Sequence, residues 1–306
     1  MKRVLIAATV AALLLTGCGK SDEPGTSPTT SGSAAASFPV TVGALTLATR
    51  PEKIVSLSPT ATEMLFAIGA GPQVTAVDDQ SNFPAEAPKT DLSGFKPNAE
   101  AIAAKEPDLV VLSGDADQIV AQLGKLKIPT LVSPAAVTLD DTYREIGDLG
   151  ILTGHAAEAT AVSDRMKTEI DQIVKSVPAR SKPLTYFYEL GPELYTATSK
   201  TFIGGVFNLF GMTNVADAAD ADGSKGGYPQ LSAEALVKAN PDTVFLADSK
   251  CCQQTAATVK ARAGWSSVTA VQKSQVYALD DDIASRWGPR TVDLVKSVAD
   301  AVSKIS

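Results

Sequence analysis

At 306 residues the chain is too long for one small domain and suits two of about 130 residues each. Its 44% hydrophobic content can supply two cores. The net charge of −7 argues against nucleic acid or an anionic membrane surface as the partner, because both select basic faces.

The chain opens with Lys2 and Arg3. Val4 to Leu15 follow as a twelve-residue apolar run broken only by Thr9, too short to span a bilayer. A positive start before a short apolar run is a secretory signal. Leu15-Thr16-Gly17-Cys18 then resembles a bacterial lipobox, in which Cys18 is lipidated after cleavage in front of it. Acyl chains there would hold the protein at a membrane, each buried methylene contributing about 0.8 kcal/mol. Residues 19–37, GKSDEPGTSPTTSGSAAAS, contain no large apolar residue. They read as a flexible tether with a reach of about 25 Å.

From Phe38 the pattern becomes globular. Lys53 to Leu57 (KIVSL) reads as a buried strand, and Thr60 to Ile68 as a helix that Gly69 stops. Pro59 favours a helix start, and Thr60 with Glu63 fits a capping box. Residues 98–113 (NAEAIAAKEPDLVVLS) form a short helix, a Pro-Asp break and a hydrophobic strand, and PTLV at 129–132 is a late strand. Leu139 to Val177 carries apolar residues at spacings of three and four with a break at Gly154, and Pro178 ends it. Thr185 to Leu190 is a strand, and Phe202 to Phe210 a helix stopped by Gly211. Residues 232–247 (SAEALVKANPDTVFLA) align without a gap on 98–113, and QVYAL at 275–279 is the matching late strand.

This repeat predicts an α/β protein of two Rossmann-like lobes with parallel sheets flanked by helices. A long rigid helix joins them, and the ligand cleft lies between. The expected boundaries are a signal segment at 1–18, the tether at 19–37, one lobe at 38–138, a helical linker at 139–178 and a second lobe at 179–306. A stiff linker predicts only modest opening and closing. Ligands bind beyond the carboxyl ends of such strands, so the loops after the strands should carry the site.

The runs KIVSLSPTATEMLFAIGAG, PNAEAIAAKEPDLVVLS and YPQLSAEALVKANPD resemble the helical-backbone solute-binding lipoproteins of bacterial ABC importers. That family carries cobalamin, ferric siderophores or haem, and the similarity is greatest to its cobalamin-binding members. The resemblance implies an outer-face or periplasmic location through Cys18. It also implies a monomer that works with a permease dimer and its ATPase, and no resident cofactor. It assigns Glu100 and Glu234, one per lobe, to docking on the permease; both are also early-helix acids that the helix dipole favours unaided. Tyr228 falls where related proteins contact the ligand with an aromatic, and Asp282 and Arg286 where they contact corrin amides. Other aromatic positions of those proteins read Gln80, Gly94 and Ser113 here. Phe83, Phe95, Tyr188 and Trp287 are the nearby residues able to supply aromatic surface. A corrinoid is the first expected cargo, then a ferric siderophore, then haem, which would need a tyrosinate from Tyr188, Tyr195 or Tyr228.

His155, the one histidine, rules out a multi-histidine metal site and reads as a residue of the helix junction. Cys251 and Cys252 follow the strand TVFLA. Exported cysteines usually pair. Adjacent Cα atoms lie about 3.8 Å apart, short of the usual disulfide span of roughly 4.4–6.8 Å. A strained vicinal disulfide, free thiols and contact with a metal-bearing ligand all stand open for them. No phosphate loop, nucleophile elbow or catalytic histidine pair is present. A non-enzymatic binding protein is therefore expected, ahead of an enzyme or a surface lipoprotein outside transport.

Overall fold

Two four-stranded parallel sheets with the same strand order carry the fold. The computed structural model describes residues 37–305, which belong to one compact unit. The signal segment, Cys18 and tether residues 19–36 lie outside the described residues.

An antiparallel hairpin of β1 (Val40–Val42) and β2 (Leu45–Leu47) comes first. The first lobe then runs β3 (Ile54–Leu57), α1 (Pro59–Ala67), β4 (Val74–Val77), α2 (Ala99–Ala103), β5 (Leu109–Leu112), α3 (Ile119–Lys125) and β6 (Thr130–Val132). After α4 (Leu139–Thr153) and α5 (Ala156–Ser176), the second lobe begins with β7 (Thr185–Glu189), α6 (Phe202–Asn208), β8 (Thr213–Asn214), α7 (Ala233–Ala239) and β9 (Thr243–Leu246). It ends with α8 (Ala256–Lys260), α9 (Thr269–Gln272), β10 (Val276–Ala278), α10 (Asp281–Ala284) and α11 (Thr291–Ser303). The sheet orders are β4-β3-β5-β6 and β8-β7-β9-β10, every neighbour parallel. In both, the second strand flanks the first and the third lies on its other side, as a duplicated unit requires. Every residue of β3, β5 and β9 is buried, because helices cover both faces of each sheet.

Local chemistry corrects one expectation. The α1 N-cap is Ser58, whose hydroxyl accepts from the Ala61 amide at 3.3 Å, with Pro59 at the first helical position. Thr60 is therefore not the cap, and Glu63 does not reach back to the helix start. It is buried at 3% exposure and turned toward the other lobe. By contrast, Thr138 and Asp141 close a true capping box on α4.

The linker is two helices. Gly154 ends α4 at φ 77°, a left-handed conformation that costs glycine nothing, and α5 starts two residues later. At this joint Arg50 donates to the Thr153 carbonyl at 2.9 Å, and its Nη2 lies 2.7 Å from His155 Nε2. The 21 residues of α5 span about 31 Å. Its Ala159, Val162 and Met166 belong to the first lobe's core, with Ile54, Met64 and Leu109. Ile170, with Ile173 and Val174 packed beside it, belongs to the second lobe's core, with Tyr186, Phe207 and Val298. One helix thus enters both cores and sets the spacing of the lobes.

Met166, 1% exposed, sits where α5 leaves the first core. Met166→Ala is expected to cost about 2–5 kcal/mol. Circular dichroism and the fluorescence of Trp265, which is buried in the second lobe, should still report one shared unfolding transition. Two resolved transitions would show that α5 does not couple the lobes.

Candidate functional site

The loops beyond the strand carboxyl ends of the two lobes meet, and buried charge holds them together. Glu63 of α1 accepts from Arg286 Nη1 at 2.7 Å, from Arg290 Nη2 at 2.5 Å and from Arg290 Nε at 2.8 Å. Arg286 also donates to Asn82 Oδ1 at 2.9 Å, to the Gln80 carbonyl at 3.1 Å and to Asp282 at 3.0 Å. Asn82 in turn donates to Asp282 at 3.2 Å, and the Arg290 guanidinium lies 4.3 Å from the Phe83 ring centre. Four residues apart, Arg286 and Arg290 converge on one carboxylate of the other lobe.

A second bridge lies beside it. Trp287 Nε1 donates to Glu145 of α4 at 3.0 Å, and Ser133 donates to the same oxygen at 2.8 Å. Burial raises the Glu145 carboxyl above its ordinary value, and the bonds from Ser133 and Trp287 oppose this. On the rim, Lys250 pairs with Asp280 and Asp282 at 2.8 and 2.9 Å. Burial alone would raise Asp282; Lys250 and Arg286 outweigh it and hold the carboxyl below its usual value.

The aromatic residues divide by exposure. Phe83, Phe95, Tyr195 and Tyr228 are 43%, 79%, 49% and 46% exposed, all in loops beyond strand carboxyl ends. Tyr195 pairs antiparallel with Gln230, and the Thr196 and Thr198 amides donate to the Pro229 and Gly227 carbonyls at 3.0 and 2.8 Å. In that register Tyr195 and Tyr228 share one face of a short ribbon. Buried Asp220 braces it by accepting from the Lys225 and Gly227 amides, each at 2.7 Å. Phe83 also lines a concavity of about 330 Å³ on the flank of the lobe seam, with Phe66, Pro84, Pro289 and Arg290.

The remaining sequence-derived residues fall as follows. Tyr188 is fully buried, its hydroxyl donating to the Ala284 carbonyl at 3.0 Å, so it offers the cleft no surface. Arg286 is 8% exposed with both terminal nitrogens engaged, and Trp287 is half-buried between the lobe cores. Both belong to the lobe junction first. A Cβ at Gly94 would lie 2.9 Å from the Leu57 carbonyl oxygen, so this position admits no aromatic. Glu100 and Glu234 are exposed in the first turns of α2 and α7, equivalent helices on the sheet face away from α5, N-capped by Asn98 and Ser232. Cys251 is exposed and Cys252 half-buried, both as free thiols. The Cys251 amide donates to Asp281 at 2.9 Å. Contact with Cys252, then burial, pushes the Cys251 thiol up to about 12.

Sequence reasoning missed Glu63, Asn82 and Glu145. The available signal was the i, i+4 pair Arg286 and Arg290, which calls for a shared acid. It offered Tyr195 only as an iron ligand. Glu63→Ala leaves the buried Arg286 and the part-buried Arg290 without their carboxylate, and is expected to cost about 3–5 kcal/mol in urea unfolding. A loss below about 1 kcal/mol would mean that this grip does not hold the lobes.

Over residues 54–283 the chain matches the family described as periplasmic binding protein. The ABC transporter substrate-binding lipoprotein YvrC of Bacillus subtilis is 31% identical over an alignment of 308 positions, covering 96% of this chain and 94% of that one. The cobalamin-binding protein of Halobacterium salinarum is 32% identical over 283 positions, covering 87% of this chain and 75% of that one. Among solved structures, a possible iron-binding (periplasmic solute-binding) protein of Staphylococcus epidermidis has a TM-score of 0.72 at 26% identity, over 83% of this chain and 99% of that one.

Proposed function

The chain belongs to the periplasmic binding protein family, and from that premise we propose that it is the lipid-anchored capture component of an ABC importer, carrying a corrinoid between its lobes. The family binds substrates for transport and is not an enzyme class. The anchor is Cys18, supported by the lipobox and by the lipoprotein named among the relatives. No helix among the described residues is long and apolar enough to cross a membrane.

One observation carries the choice of ligand. Half-open aromatic rings border the cleft, while the three arginines nearest it are committed: Arg286 and Arg290 to Glu63, and Arg262 to Glu189. A polyanionic ferric chelate calls for free cationic side chains. A large macrocycle fringed with neutral amides is matched by aromatic faces and a few fixed polar groups. Tyr228, Tyr195, Phe95 and the open part of Asp282 supply these, and the cobalamin-binding relative points the same way. An iron chelate is the second reading, favoured by the Staphylococcus epidermidis structure.

Delivery then uses Glu100 and Glu234. They are exposed, occupy equivalent positions on the two lobes, and have no ion-pair partner among the described residues. Two equivalent acids suit a permease dimer, each lobe meeting one subunit. The pinned lobes supply a largely pre-formed cleft, so binding needs little hinge motion.

The test is titration of residues 37–306 with cyanocobalamin and with anionic ferric chelates, a tris-catecholate and a citrate complex, read by calorimetry and tryptophan fluorescence. Saturable binding of cyanocobalamin is expected, weakened about tenfold or more by Tyr228→Ala, a loss of about 1.4 kcal/mol. Binding of the anionic ferric chelates alone would overturn the corrinoid assignment and leave the transport reading in place. Glu100→Arg with Glu234→Arg is expected to abolish uptake into permease-bearing vesicles while affinity is unchanged. Uptake at the normal rate by this double variant would refute the docking role.

A further inference from the structure

The second lobe buries two carboxyl groups where the first lobe has none. Glu189 ends β7 and Asp248 follows β9, the two central strands, and both side chains are 0% exposed. Glu189 pairs in register with Leu246, as Leu57 pairs with Leu112 in the first lobe. The repeat that sets residues 232–247 on 98–113 brings Asp248 opposite Gly114. Leucine and glycine therefore fill these positions in the first copy, and the topology does not require acids there.

The charges do not balance around the pair. Arg262 takes both oxygens of Glu189, at 2.5 and 2.6 Å, and stacks on Trp265 with its guanidinium carbon 4.7 Å from the ring centre. Both oxygens of Asp248 are buried without a hydrogen-bond partner among the described residues, at the end of the strand that pairs with the one Glu189 closes. The other titratable groups facing the pair are the Tyr188 hydroxyl, engaged on Ala284, the Cys251 thiol, and Asp281 beyond the turn. Lys250 turns away to Asp280 and Asp282. The one guanidinium is thus spent on Glu189, and a buried carboxyl without donors needs a proton of its own.

We propose that Asp248 carries a proton beside the Arg262-bound Glu189, and that this proton makes Asp248 a positioning residue for the cleft-rim turn at residues 249–254. The turn hangs on residue 248: the Asp248 carbonyl accepts from the Cys252 amide at 3.2 Å and from the Gln254 amide at 3.3 Å. The Gln254 side chain accepts from Arg262 at 2.7 Å and donates to the Cys252 carbonyl at 3.0 Å. At its other end the Lys250 and Cys251 amides hold Asp281 on the rim. Ionisation of Asp248 sets a second buried negative charge beside Glu189 and drives residue 248 toward water, with the turn following.

Burial first, and Glu189 second, raise the Asp248 carboxyl to about 7. The folded value lies above the unfolded one, so the pair's stabilisation is complete in acid and is lost as pH rises through about 7. The proton site belongs to the unliganded chain; that the turn borders a ligand cleft rests on the binding reading above.

The test needs no ligand. Hydrogen exchange of the Cys252 and Gln254 amides is compared between the full wild-type chain and Asp248→Asn, always at the same pH. At pH 8 the wild type should exchange about tenfold faster, and at pH 6 the two should match. Carbon-13 spectra should show an aspartate titrating near neutrality that Asp248→Asn removes. Should that variant fail to fold, Glu189→Gln serves instead: it frees Arg262 for Asp248 and should bring the titration below about pH 5. Equal exchange at both pH values, or no aspartate titrating above about pH 5 in the wild type, would overturn the proposal. Because cyanocobalamin plays no part in these readouts, failure of the corrinoid assignment leaves them interpretable.

Discussion

The carboxylate of Glu63, held by Arg286 and Arg290 across the lobe boundary, is the interaction on which the cleft depends. Removing three charged groups from water is costly, and the arrangement stands because each partner is hydrogen-bonded as well as paired. The same two arginines fix the neighbouring loops: Arg286 holds Gln80, Asn82 and Asp282, and Arg290 backs the Phe83 ring. Trp287, between them in sequence, ties the junction to α4 through Glu145. Rim, floor and seam are therefore one connected polar structure. With α5 entering both cores, the helix and this junction together set the spacing across the cleft.

What the sequence made legible was whatever repeats or has a period. The runs around 98–113 and 232–247 announced the duplication, and both lobes adopt one strand order. Gly154 was visible as the break that separates α4 from α5. Charge pairing was not legible, because Glu63 and Arg286 are joined over 223 positions and no local pattern links them. Glu63 three residues after Thr60 imitated a capping box, and a helix start explained it too readily. Tyr188 misled for a related reason: it looks like a polar aromatic in a site, but a strand buried on both faces absorbs it into the core. Tyr195 and Tyr228 became a pair only when the ribbon register aligned them.

The two copies have diverged inside as well as on their surfaces. The first lobe fills the space beyond its strands with hydroxyl groups: Thr62 bonds Ser56 and Ser81, and Ser81 bonds Asp78. The second fills the corresponding region with Glu189, Asp248 and Arg262. The first arrangement sets one buried carboxyl among hydroxyl donors, whereas the second sets two carboxyl groups around one guanidinium. Equivalent architecture thus carries different polar chemistry beyond the strands of the two lobes.

The path of α5 through both cores also limits how this duplication could be undone. Splitting the gene after the linker would leave the second product without Ile170, Ile173 and Val174, and the first with an apolar stripe open to solvent. Splitting it before the linker would strip Ala159, Val162 and Met166 from the first product instead. Neither half inherits a closed interior. The shared helix makes the two halves one folding unit, since a cut on either side of it opens an interior.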